Sequence, residues 1–231
     1  MNPETSQPLI AAKGLTRLYQ LGDSEVVGIS QVDLEIAAGE LVVLKGNSGS
    51  GKSTLLSLLA GLDRPTRGEL RVADHDLNRI SDSDLTHFRR QVVGMVFQTF
   101  NLLPTLNVVE NTCLPALLAG KSFMQSRSKA MELLKWFGLE RRLNHLPAQL
   151  SGGEMQRTAI ARALINDPAV ILADEPTGNL DSRNGQIVID LLFELNRKWG
   201  RTIMIATHSS LADAQATIKV FLQDGMITNH L

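Results

Sequence analysis

Along this chain apolar residues gather in short blocks divided by glycine, proline and small polar residues, and the spacing inside the blocks switches between strand-like and helix-like periods. Val26 to Ile36 is rich in apolar and β-branched residues and predicts a strand. The turn Ala37-Ala38-Gly39 divides it from a second strand, Glu40 to Lys45. A glycine-dense loop, Gly46 to Gly51, follows, and Lys52 to Ala60 then carries Leu55, Leu56 and Leu59 on one side, the spacing of a helix. Pro65 and Gly68 punctuate the next connection, and Val92 to Phe97 predicts another strand. From about Asn107 to Asn166 the pattern is helical with no strand in it: Leu133, Leu134 and Phe137 recur at three and four, and Gly138 stands where a helix ends. After Pro168 the strands return. Val170 to Ala173 is a continuous apolar run of the buried kind, and Ile187, Leu191 and Leu195 mark a helix that stops at Gly200. Thr202 to Thr207 is a further strand, and Asp224-Gly225 predicts the turn of a closing hairpin. This alternation predicts an α/β fold. A core with a largely parallel sheet runs over about 1–98 and 167–231, interrupted by a helical insertion over about 99–166.

Composition narrows the class. The 231 residues are 43% apolar and 20% charged, ordinary for a folded protein and incompatible with wholesale disorder. Lys plus Arg number 23 against 24 Asp plus Glu, a net charge of −1. The basic excess of a dedicated nucleic-acid binder is missing, so no nucleic-acid partner is expected. Cys113 is the only cysteine, which excludes an intrachain disulfide and cysteine-rich zinc sites and fits a reducing compartment. Apolar runs such as Leu41 to Leu44 fall far short of the roughly 18 residues a membrane helix needs. Met1 to Gln7, with Glu4 and no Lys or Arg, does not read as a secretory signal. The expectation is a soluble, intracellular chain.

The first chemistry lies in Gly46-Asn47-Ser48-Gly49-Ser50-Gly51-Lys52-Ser53, which fits GxxxxGK[ST] between a predicted strand and a predicted helix. Glycines let such a loop curl until backbone N–H groups point inward at phosphate oxygens. The helix start adds a dipole end worth about half a positive charge. Lys52 reaches the terminal phosphates, and the Ser53 hydroxyl can ligate Mg²⁺. With Thr54 beside them, these residues make a nucleotide with Mg²⁺ the expected ligand.

A second loop offers similar physics with no use for it in the same site. Leu150-Ser151-Gly152-Gly153-Glu154 precedes a helix predicted over Met155 to Ile165. Ser151 and Glu154 stand at capping-box spacing, which by itself accounts for both. Two adjacent glycines at a helix start also bare backbone N–H groups for an anion. That makes sense if Ser151, Gly152 and Gly153 face a nucleotide held by another subunit. The segment, continued as Met155-Gln156-Arg157 and with the phosphate loop upstream, resembles the signature sequence of ABC-type ATPases. The resemblance extends over essentially the whole chain, with the motifs in order.

It implies a single ABC ATPase domain over 1–231: a P-loop NTPase core, an antiparallel β portion near the N-terminus and the inserted helical subdomain. Two copies would form a head-to-tail dimer sandwiching two ATP, each between one copy's phosphate loop and the other's Ser151–Gly153. Val170-Ile171-Leu172-Ala173-Asp174-Glu175 resembles the Walker B element. Asp174 would orient the Mg²⁺ shell, and Glu175 would polarise the attacking water, a role worth roughly 10²–10⁴-fold in rate. His208 corresponds to the family's switch histidine, which bonds the γ-phosphate. The acidic residue usual after it is Ser209 here, with little effect expected because serine also caps. Gln98 matches the glutamine that ligates Mg²⁺ and senses the γ-phosphate at the entry to the insertion. Tyr19 resembles the aromatic that stacks on adenine, and a packing role accounts for it nearly as well. Asn179-Leu180-Asp181 resembles the D-loop that crosses the dimer interface, or serves as a turn and helix cap.

Within the family, Phe97 to Leu106, Glu110-Asn111, Leu114-Pro115 and Asp174 to Asp181 resemble the branch that includes lipoprotein-releasing and macrolide-exporting systems. In that branch the ATPase lies peripherally on the cytoplasmic face of the inner membrane and drives an integral membrane permease. Exposed apolar residues around Phe100 to Leu106 would receive a permease segment; alternatively Leu102, Leu103 and Leu106 are core of the insertion. Cell-division relatives share part of the pattern. A soluble ATP-gated clamp on DNA or ribosomes would use the same dimer, but the chain shows no coiled-coil arms and no second ATPase unit. A small phosphotransferase leaves Leu150 to Glu154 unexplained.

Overall fold

The computed structural model describes residues 7–230. Met1–Ser6, on which most of the expectation about a signal segment rests, lie outside the described residues. The chain begins β1 (Ile10–Leu21), β2 (Ser24–Ile36), β3 (Leu41–Lys45), α1 (Lys52–Leu59), β4 (Arg67–Val72), β5 (His75–Asp76), α2 (Asp82–Gln91) and β6 (Val93–Val96). A helical stretch follows: α3 (Val108–Leu118), α4 (Phe123–Trp136), a 3-10 turn at Pro147–Gln149 and α5 (Gly152–Leu164). It closes with β7 (Val170–Asp174), α6 (Ser182–Trp199), β8 (Thr202–Ala206), β9 (Ile218–Gln223) and β10 (Met226–His230).

The strands form two sheets. β2-β1-β4-β5 is antiparallel throughout, whereas β10-β9-β3-β8-β7-β6 is parallel apart from its edge strand β10. The central strands are buried on both faces, and their alternate residues serve two different cores. Leu41, Val43, Ile171, Ala173, Ile203 and Ile205 point to a cluster shared with α3, α4, α5 and α6. Val42, Leu44, Val170, Leu172, Met204 and Ala206 point to a cluster shared with α1 and the antiparallel sheet. A fully buried leucine stabilises by about 1.5–3 kcal/mol, so Leu55, Leu56, Leu58 and Leu59, all at 0% exposure, seat α1 firmly. The helix that follows the glycine-dense loop therefore stands on a fully buried base.

Local chemistry sets the element ends. Asn107 and Glu110 form a complete capping box on α3, and Ser151 and Glu154 form one on α5. Asp181 caps α6 through the Asn184 N–H, and Gly200 ends it in the left-handed region at φ 61°. The β9–β10 turn puts Asp224 at φ 50° and Gly225 at φ 78°, as a tight hairpin with the Asp-Gly pair requires.

The helix marked by Ile187, Leu191 and Leu195 is α6, ended at Gly200; its buried face is Gly185, Val188, Ile189, Leu192, Phe193 and Leu195, while Ile187 is 38% exposed. Residues four apart advance 40° round a helix, so a strict i, i+4, i+8 stripe walks off the core at one end. Leu102, Leu103 and Leu106 are not core: they lie in the loop before α3, none is buried, and Leu103 is 44% exposed.

Candidate active site

In an open parallel sheet, ligands gather at the carboxyl ends of the strands. Here β3, β8, β7 and β6 are consecutive neighbours, and each delivers a candidate at that edge. β3 leads into the phosphate loop, β6 into Gln98, β7 ends at Asp174 before Glu175, and His208 follows β8. A cleft of about 690 Å³ opens there, lined by Tyr19, Val26, Val27, Gly28, Ser48, Gly49, Gly51, Lys52, Ser53, Thr54, Gln98, Glu175 and His208.

The phosphate loop divides into two sides. Ser48, Gly49, Gly51, Lys52, Ser53 and Thr54 face the cleft, while Gly46, Asn47 and Ser50 line a hollow behind it, against Leu222 and Asp224, with Ser48 and Gly49 shared between the two. Gly46 is irreplaceable sterically, since a Cβ there would stand 2.4 Å from the Leu222 carbonyl oxygen. Gly51 holds φ 101° as the N-cap of α1 and supplies no side chain to cap it. The Lys52 ammonium curls over the loop, donating to the Gly46 and Asn47 carbonyls at 2.7 and 3.0 Å.

Two carboxylates follow β7. Burial pushes the Asp174 carboxyl above its ordinary range, with the Glu175 charge adding, while the Ser53 hydroxyl and Lys52 oppose the shift. Asp174 Oδ1 is buried without a hydrogen-bond partner. An orphaned buried carboxylate oxygen beside a hydroxyl is a donor set that fits Mg²⁺, a cation that takes one or two carboxylates and completes its shell with phosphate and water. Glu175 sits in the left-handed region at φ 45°, sparsely populated for a residue with a side chain, and its carboxylate turns toward β8. Its Oε2 lies 3.0 Å from His208 Nδ1 and accepts the His208 backbone N–H at 3.4 Å. Ser209 caps the turn beyond, its Oγ accepting the Leu211 N–H at 3.3 Å, as expected of a serine in that place.

Gln98 is pinned at both ends. Its carbonyl accepts Asn179 Nδ2 at 2.9 Å, and its amide lies so close over Gly178 that a Cβ there would meet Gln98 Nε2 at 2.7 Å. Beyond it Phe100 and Asn101 hold φ 60° and 49°, a strained pair clamped by Arg162, whose guanidinium donates to their carbonyls at 2.7 and 2.5 Å.

Ser151, Gly152 and Gly153 do not line the cleft. Their two glycines instead let α5 start in close contact with residues 179–184 of the same chain. A Cβ on Gly152 would meet Leu180 Cδ2 at 3.1 Å, and one on Gly153 would meet Asn184 Oδ1 at 2.5 Å. Glu154 accepts the Ser151 N–H and Arg142 Nε, both at 2.8 Å. Burial works against its charge, but these bonds prevail and hold its carboxyl below the ordinary range.

Sequence reasoning passed over Val26, Val27 and Gly28, reading them only as strand. The signal in the sequence was two adjacent valines before a glycine, since successive strand residues turn to opposite faces; in the structure both valines are exposed, and a Cβ on Gly28 would meet Tyr19 Cε2 at 2.7 Å. Among the described residues no group of three His, Cys, Asp or Glu gathers to hold a metal, and no helix is long and apolar enough to cross a membrane.

Comparison with known proteins adds relatives. A family model described as ABC transporter matches residues 29–178. The chain is 44% identical to the lipoprotein-releasing system ATP-binding protein LolD of Idiomarina loihiensis, over 95% of this chain and 96% of that protein. It is 45% identical to the macrolide export ATP-binding/permease protein MacB of Wolinella succinogenes, over 96% of this chain and 34% of that protein. It thus spans about a third of the length of the MacB relatives. A solved structure described as dimeric MJ0796, a bacterial ABC transporter cassette, superposes with a TM-score of 0.89 at 42% identity, covering 96% of this chain and 97% of that one. MJ0796 is a protein of Methanocaldococcus jannaschii, and a second dimeric structure of it, in a post-hydrolysis state bound to ADP and Pi, superposes with a TM-score of 0.89 at 41% identity over 96% of this chain and 97% of that one.

Proposed function

This chain belongs to the ABC transporter family as an ATP-binding cassette, and from that premise we propose that two copies close head to tail around two ATP and hydrolyse them to move a membrane permease of the lipoprotein-releasing or macrolide-exporting kind. The observation that carries this reading is the division of the machinery. One cleft gathers Lys52, Ser53, Gln98, Glu175 and His208, while Ser151–Gly153, a second anion-ready helix start, stands outside it. A copy that supplied both halves of one site would bring both to the same cleft.

The roles follow from the chemistry on the cleft wall. Backbone N–H groups of the phosphate loop and the Lys52 ammonium cradle the β- and γ-phosphates. Ser53, Asp174 and Gln98 would hold Mg²⁺, which when bound neutralises charge on the phosphate oxygens. Glu175 orients the attacking water and accepts its proton, and His208, 3.0 Å from the Glu175 carboxylate, holds that carboxylate in line for the γ-phosphate. Tyr19 offers a ring face to the base. Ser151, Gly152 and Gly153 bind the γ-phosphate held by the other copy.

Hydrolysis is useful only if something else moves. The loop from Phe100 to Leu106, exposed at Leu103, anchored by Arg162 to α5 and continuous with Gln98, is the surface proposed to receive the permease at the cytoplasmic face of the membrane. The test of the shared site is dilution. ATPase activity per molecule should fall as the chain is diluted below its self-association range, and Glu175→Gln should lose roughly 10²–10⁴-fold in turnover while accumulating an ATP-bound dimer by size-exclusion chromatography. Activity independent of concentration, in the absence of a permease, refutes the shared site.

A further inference from the structure

Tyr19 is held by two residues that the nucleotide reading has not used. Its hydroxyl donates to Asp63 Oδ2 at 2.9 Å, and Arg17 Nε donates to the same oxygen at 2.8 Å. The Arg17 guanidinium carbon lies 4.6 Å from the centroid of the Tyr19 ring, over its face. The other Asp63 oxygen, Oδ1, accepts the Arg64 backbone N–H at 2.8 Å. Both carboxylate oxygens are thereby fixed, and the Arg17 and Asp63 side chains are only 25% and 23% exposed. The ring edge at Cε2 rests on Gly28, where a Cβ would come within 2.7 Å. One face, one edge and the hydroxyl of Tyr19 are all engaged, which leaves a single face to the cleft.

Asp63 has a second connection. It lies just past the C-terminal end of α1, where its N–H returns to the Ser57 carbonyl at 3.3 Å. The same short helix therefore begins at Lys52, on the phosphates, and ends beside the carboxylate that sets the ring. We infer that Asp63 and Arg17 are positioning residues for the nucleotide base: they hold the Tyr19 ring at a fixed distance from the phosphate loop, so that a purine meets a stacking face already in place. The inference rests on the reading of Tyr19 as the base platform. An untethered tyrosine would distribute among staggered χ1 wells, and the apparent affinity of a ligand falls with the fraction of the competent state, which gives about a three- to tenfold loss when the tether is cut.

The test compares two ligands on the full chain by calorimetric titration: Mg²⁺-ATP, which has a base, and inorganic triphosphate, which has none. Asp63→Ala and Arg17→Ala should each weaken ATP binding by about three- to tenfold and leave triphosphate binding unchanged. Tyr19→Phe keeps the ring but loses the tether, so it should weaken ATP binding, and adding Asp63→Ala to it should bring little further loss from the Tyr19–Asp63 bond. Equal losses for both ligands would make Asp63 a support of α1 alone and overturn the inference, as would an unchanged ATP affinity. Tyr19→Ala separates the two levels: no loss of ATP affinity in that variant removes the base platform itself, whereas a loss there without one in Asp63→Ala removes only the positioning role.

Discussion

Two helices of this protein begin in glycine-containing loops, and they manage their first turns in opposite ways. α1 begins behind Gly51, a left-handed N-cap with no side-chain bond to offer, and its first residues, Lys52, Ser53 and Thr54, line the cleft. α5 begins behind Ser151 with a complete capping box, reinforced by Arg142 on Glu154. The difference teaches how the proposed bipartite site would be built. The helix start proposed to take phosphate within its own chain forgoes a side-chain cap and leaves its donors to a ligand. The helix start that stands outside that cleft is structurally self-sufficient, and binding there adds to an end already stable alone.

The sharpest way to break this comparison is to damage each start separately. Lys52→Ala should lower the ATP affinity of a single copy by one to two orders of magnitude, since it removes the cation on the terminal phosphates. Ser151→Arg should leave single-copy ATP affinity unchanged by titration, yet reduce concentration-dependent hydrolysis by a similar factor. Loss of binding in a dilute Ser151→Arg sample would mean that the second helix start serves the chain's own nucleotide, and the contrast would vanish.

A smaller effect tests whether the cleft is held at a cost to stability. Burial raises the Asp174 carboxyl above its ordinary range, so its charge carries a desolvation cost in the folded, nucleotide-free protein. Asp174→Asn should therefore raise the melting temperature of the nucleotide-free protein at pH 7, by about 2–4 °C for each kcal/mol relieved, while abolishing Mg²⁺-dependent hydrolysis. A lower melting temperature would contradict the reading of the orphaned oxygen as a metal ligand awaiting its cation.

The smallest effect concerns the cap. Ser151→Ala should cost about 1 kcal/mol in denaturant unfolding. Glu154 has a folded value below the ordinary one, so its contribution is complete above the usual glutamate range and is lost as pH falls through the lowered value. Glu154→Gln should consequently flatten the decline of stability between about pH 5 and pH 3, measured by urea melts across that range. An unchanged slope would show that the capping box adds nothing to α5.

Much of this fold is legible in the residues. The strands β2, β3, β6, β7 and β8 and the hairpin turn at Asp224-Gly225 are announced by composition and turn chemistry, and Gly138 and Gly200 do terminate α4 and α6 in the left-handed region. α2 is not announced by periodicity because only Leu85 and Phe88 of its ten residues are buried. Its signals are the Ser81 cap, Asp82 and Asp84 in the first turn and Arg89 and Arg90 in the last, a charge arrangement rather than an apolar stripe. Val26-Val27-Gly28 is harder still. Exposed valines on a strand signify a surface only once the neighbouring phosphate loop is known to face them.

The loops Gly46–Ser53 and Leu150–Glu154, the Asp174-Glu175 pair and the strand–helix alternation are local chemistry, and local chemistry is written in residue order because glycine torsions, caps and helix dipoles act over a few neighbours. Which of those pieces meet was settled by strand order instead. Pairing β8 between β3 and β7 puts His208 on Glu175 across 33 positions of chain, and the packing of Gly152 and Gly153 on residues 179–184 holds the second loop away from the first. Asp63 reaches Tyr19 in the same way, across 44 positions of chain, a separation at which no periodicity or propensity carries information, and only the burial of a shared core brings such residues together.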